Sequence, residues 1–116
     1  MLDGLSRLED LVLRTKELGM DSLAITDHGG MYGAIDFYQI ANKHGVKPII
    51  GCEMYVAPDS RHERSSNNKS PYHMTVLSHN ERGYDNLVKL VSKANLEAST
   101  TSRASTARFL SSTAKD

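Results

Sequence analysis

The sequence predicts an α/β fold made of helices and strands in alternation, in a chain too small to complete that fold. Three observations predict it. Helical periodicities at residues 6–19 and 31–45 each lead into a short apolar segment that reads as a buried strand. A third alternation, Tyr72 to Ser78, precedes a last helical stripe at 81–96. Gly19 and Gly45 stand where the first two helices should stop. Helix, strand, helix, strand, loop, strand, helix implies an α/β architecture with parallel strands. Three strands cannot close a barrel or cover both faces of a sheet, so the segment reads as part of a larger fold.

The first helix opens on Ser6-Arg7-Leu8-Glu9, a capping-box pattern. Leu8, Leu11, Val12, Thr15 and Leu18 form its apolar stripe. Ser22 to Thr26 is the first strand and ends at Asp27-His28. The second helix covers 31–44, with Met31, Ala34, Ile35, Tyr38 and Ala41 on one face. Lys47 to Val56 is the second strand, and Gly51 within it suggests a bulge. Pro58 to Ser70 is a polar loop of mixed charge. The last helix carries Leu87, Leu90, Val91 and Ala94 as its stripe.

Composition narrows the function classes. Fourteen basic and fourteen acidic residues cancel, so no global basic field attracts nucleic acid or an anionic membrane. No apolar run approaches the ~20 residues of a membrane span. The N-terminus, Met1-Leu2-Asp3-Gly4, lacks the basic and apolar regions of a secretory signal. A single cysteine forms no internal disulfide and no multi-thiolate zinc site, so a reduced, cytoplasmic setting is expected.

Chemistry gathers at the carboxyl ends of strands in parallel α/β folds. Asp27 and His28 follow the first strand, Glu53 lies in the second, His73 lies in the third, and Asp3 precedes the first helix. Imidazole with carboxylate suits Zn, Mn or Fe, whereas carboxylates alone suit Mg or Ca. Each residue also has a plain structural reading. Asp27 caps the following helix, His28 is a loop histidine, Glu53 pairs with a lysine, and His73 bonds a backbone carbonyl. His44 suits a helix C-terminus, where the dipole favours its charge. No chemistry is assigned to it, to His62 or to His79. Cys52 reads as a small buried apolar group. Gly29-Gly30 lacks the spacing of a dinucleotide fingerprint and reads as a turn needing unusual dihedrals. Arg61, Arg64 and Lys69 are offset by Asp59 and Glu63, so that loop reads as solvated.

Several motifs occur in a fixed order. They are Leu2-Asp3-Gly4-Leu5-Ser6, Ala24-Ile25-Thr26-Asp27-His28-Gly29, Met31-Tyr32-Gly33, Lys47 through Glu53, Tyr55-Val56-Ala57-Pro58, Tyr72 through Leu77, and Gly83-Tyr84-Asp85-Asn86-Leu87. The set resembles the N-terminal PHP (polymerase and histidinol phosphatase) domain of bacterial DNA polymerase III alpha subunits, over residues 1–97. The resemblance implies a partial PHP-type distorted (βα)7 barrel, roughly its first three strands and their helices. It implies metal ligands at Asp3, His28, Glu53 and His73, with Asp27 a neighbour that orients them without touching the metal. The family's His-x-His pair, expected upstream, and its later Asp-x-His are not in this sequence. In complete sites, divalent metals (Zn, Mn or Fe) would drive attack on a phosphodiester, in 3′–5′ exonuclease or pyrophosphate-removing reactions.

The resemblance implies that the chain is a fragment of a DNA-directed DNA polymerase that acts in DNA replication. Its partners would be DNA and the replicase subunits, with no membrane, and the fragment alone would be inactive. The alternatives are a non-catalytic scaffold or interaction module and a stand-alone PHP phosphoesterase. Among residues 98–116, 13 are Ala, Ser or Thr, which marks a separate tail without apolar periodicity. The family continues there as Gly-Phe-Tyr-Tyr-Lys-Pro-Arg-Ile-Asp-Arg. Deleting one G from a coding of that peptide yields Ala-Ser-Thr-Thr-Ser-Arg-Ala-Ser-Thr-Ala, identical to residues 98–107. The tail is therefore expected to be out of frame and disordered.

Overall fold

Alternation in one strand organises the molecule. In the computed structural model, which describes residues 6–56, 72–97 and 104–105, the central strand is β2, Lys47–Val56. Ile50, Cys52, Met54 and Val56 are buried on one of its faces, and Gly51, Glu53 and Tyr55 take the other. The helices α1 (Leu8–Glu17), α2 (Ala34–Lys43) and α3 (Glu81–Glu97) supply Val12, Phe37, Leu87 and Leu90 to a core shared with that buried face. Burying side chains of this size contributes about 1.5–3 kcal/mol each.

Strand β1 (Ser22–His28) pairs parallel with β2, from Ser22 opposite Lys47 to His28 opposite Glu53. Strand β3 (Tyr72–Leu77) lies on the other edge of β2 and runs antiparallel to it. The expectation of parallel strands holds for β1 and fails for β3. A parallel neighbour requires a crossover, usually a helix, and the Pro58 to Ser70 segment has no helical periodicity. An antiparallel return is the pairing such a connection permits. Ala104–Ser105, within the segment expected to be a disordered tail, forms a short strand β4 parallel to Tyr55 and Val56 of β2.

Other expectations change at the level of single residues. The capping box does not form: Arg7 is the N-cap of α1, and no side chain caps it. Glu9 instead pairs with His44 at the end of α2, at 3.0 Å. Helix α2 starts at Ala34 rather than 31, after Gly33. Its buried face is Ala34, Phe37 and Ala41, whereas Ile35 and Tyr38 are exposed. Gly51 makes no bulge, since the pairing with β1 and β3 runs unbroken through it. It answers close approach: a Cβ there would lie 2.5 Å from the Val76 carbonyl oxygen. Gly19 and Gly45 end their helices with φ of 72° and 73°, as their positions predict. No helix among the described residues is long and apolar enough to cross a membrane.

Candidate functional site

Register decides which polar side chains meet. Partners directly opposite across a ladder share a face. His28 is opposite Glu53, and Thr75 is opposite Glu53 on the other side. His73, opposite Tyr55, is therefore the diagonal neighbour of Glu53. All three polar side chains lie on the face away from the helices.

Glu53 joins the two histidines. One carboxylate oxygen is 2.6 Å from His28 Nδ1, and the other is 2.5 Å from His73 Nδ1. An ionised carboxylate only accepts hydrogen bonds, so each ring donates from Nδ1, and a neutral ring that does so carries its lone pair on Nε2. The Glu53 side chain is 20% exposed, against 50% for His28 and 58% for His73. The histidines thus stand at the rim and the carboxylate beneath them. Gly29, with φ of 60°, turns the chain directly after His28 and donates its N–H to the Glu53 carbonyl at 2.8 Å. The tight turn locks the end of β1 against β2 beside the cluster.

The His73 ring has a second neighbour. Tyr55 packs against it edge-to-face, with ring centroids 4.9 Å apart and planes at 89°. Sequence reasoning overlooked Tyr55. The signal was its spacing of two from Glu53 on one strand, which puts both on one face.

Asp27 lies on the other side of the sheet. It is opposite the fully buried Cys52, and its carboxylate accepts the Gly33 N–H at 2.8 Å. Asp27 is therefore not the cap of α2 that its plain structural reading made it: Gly33 is the N-cap, no side chain caps the helix, and Asp27 anchors the turn that leads into it. The Cys52 thiol points to the carbonyls of Asp27 and Glu53, each at 3.6 Å. Burial pushes its pKa up to about 11. Asp3, Arg61, His62, Arg64 and Lys69 lie outside the described residues. His79 borders a separate groove of about 720 Å³ between α2 and α3, beside Ile35, Tyr38 and Tyr84.

Two imidazoles and a carboxylate are the donor types that suit Zn, Mn or Fe. Their arrangement is a hydrogen-bonded cluster. Among the described residues, no three His, Cys, Asp or Glu side chains are set out as a coordination cage.

The PHP domain family profile matches residues 1–114. The chain belongs to the PHP family. It is 50% identical over 99 residues to the DNA polymerase III subunit alpha of Treponema pallidum, a match that covers 84% of this chain and 8% of that protein. The corresponding subunits of Chlamydia pneumoniae and Helicobacter pylori are 44% and 46% identical, with the same coverage. The chain thus spans 8% of the length of these relatives. A solved structure from Bifidobacterium adolescentis, named a metal-dependent phosphoesterase, shares the fold with a TM-score of 0.51 at 16% identity. That likeness covers 88% of this chain and 41% of the other. The PHP fold expected from the motifs is therefore the fold observed, as a part of the complete domain.

Proposed function

We propose that this chain is the N-terminal PHP portion of a replicative DNA polymerase III alpha subunit, carrying part of a metal-dependent phosphoesterase site. The observation that carries the site is the joining of His28 and His73 by Glu53 on the open sheet face. In this reading His28, Glu53 and His73 hold a divalent metal together with Asp3. The bound metal supplies Lewis-acid activation of a phosphate ester. Glu53 would set both rings through their Nδ1–H groups, and protons would compete with metal for Nε2, so binding would weaken as pH falls. Asp27 acts at one remove, by anchoring the turn that follows His28. The polymerase activity, the DNA and replicase partners and a cytoplasmic location belong to the parent protein in this proposal.

Dialysis of the full chain against zinc or manganese, followed by elemental analysis, tests the site. Bound metal that is lost in His28→Ala and in Glu53→Gln supports it. A chain that excludes metal with its fold intact refutes it. A second reading, a non-catalytic scaffold, fits the engagement of both Glu53 oxygens by His28 and His73. A phosphodiesterase activity abolished by chelator and by His28→Ala would exclude the scaffold.

Residues 98–116 are proposed to be the out-of-frame continuation of the same gene. Sequencing the coding DNA on both sides tests this. Polymerase sequence resuming in another frame beyond codon 116 is the expected result, and an in-frame stop with no polymerase sequence beyond it refutes it.

A further inference from the structure

We infer that Tyr55 is a positioning residue that sets the ring plane of His73, a role that rests on the metal-site reading and extends it. Strand alternation places Glu53 and Tyr55 two residues apart on one face of β2. The His73 ring, entering from β3, is held by both. Glu53 accepts from its Nδ1 at 2.5 Å, and Tyr55 meets it at a centroid distance of 4.9 Å with planes at 89°. A hydrogen bond at one nitrogen leaves an imidazole able to swing about its side-chain torsions. A perpendicular aromatic ring opposes that swing. Together the two contacts fix one tautomer and one orientation, with the Nε2 lone pair presented for a ligand. His73 needs this support because its side chain is 58% exposed. The ring supplies the constraint, so the phenolic hydroxyl is dispensable.

The test uses the full chain with ¹⁵N-labelled histidine, at pH 8 and without metal. Ring-nitrogen spectra of wild type, Tyr55→Phe and Tyr55→Leu are compared, with His28 as the internal control because it reaches the same carboxylate from β1. Wild type and Tyr55→Phe should show His73 with its proton on Nδ1. Tyr55→Leu should show averaged tautomers at His73 and an unchanged His28. Zinc affinity should fall roughly tenfold or more in Tyr55→Leu and stay within about twofold of wild type in Tyr55→Phe. An unchanged His73 in Tyr55→Leu, or loss of order at both histidines together, overturns the inference. Failure of the wild-type chain to bind zinc overturns the metal-site reading alone, since the ring-nitrogen spectra decide the role of Tyr55 without metal.

Discussion

Asp27 and His28 are adjacent at the end of β1 and serve opposite faces of the sheet. Asp27 accepts the Gly33 N–H at 2.8 Å on the helix side, and His28 meets Glu53 at 2.6 Å on the open side. The Asp-His pair thus joins a structural anchor to a chemical group through the period of two of a strand. Asp27→Ala should lower stability by about 1 kcal/mol, the usual cost of a lost hydrogen bond. The His28 contact should survive. Urea denaturation gives the first quantity and the His28 ring-nitrogen spectrum the second. Unchanged stability with a disturbed His28 ring would show that Asp27 orients the site directly.

Gly51 is enclosed by the backbone of Val76 and the side chains of Leu77 and Thr26. A Cβ there would lie 2.5 Å from the Val76 carbonyl oxygen and 2.7 Å from Leu77 Cδ2. Gly51→Ala should therefore cost about 1–3 kcal/mol, as overpacking does. The strain falls two residues from Glu53, so metal affinity should drop with stability. A urea midpoint equal to wild type would contradict the close approach.

Glu9 of α1 faces His44 and Lys43 of α2. The His44 hydrogen bond, then the Lys43 charge, holds its carboxyl below the usual value of 4.5. A depressed folded-state pKa stabilises the fold above the unfolded value and loses that contribution as pH falls through the folded value. The stability gap between wild type and Glu9→Gln should be present at neutral pH and should close as pH falls below the ordinary value of 4.5 and through the lowered folded-state value. The pair is exposed, so added salt should narrow the gap. A gap constant across the acid range would contradict the pairing. Denaturation midpoints of both proteins across pH test this.

Cys52 is fully buried and its thiol is raised to about 11. At pH 8 roughly one thiol in a thousand is ionised, and the thiolate is the reactive form. Native chain should resist iodoacetamide for hours, and chain in urea should label promptly. Rapid stoichiometric labelling of the native chain would contradict the burial.

The sequence alone was enough for the family and the element order. Motifs and periodicities are local, and those around His28, Glu53 and His73 survive translation into structure. The helix stops at Gly19 and Gly45 were legible for the same reason, since a left-handed turn is a property of one residue. Tertiary structure alone decided pairing and direction. Strand β3 runs antiparallel to β2, and no residue within Tyr72–Leu77 encodes that direction. Glu9 fits a capping box by spacing, yet His44, 35 residues away in sequence, takes its carboxylate. The stripe of α2 could be drawn through Tyr38 or through Phe37, and contact with the sheet selects Phe37. Register brings Glu53 between two histidines, sends Asp27 to the other face and sets Tyr55 against His73. A shift of one residue would reverse every one of those faces.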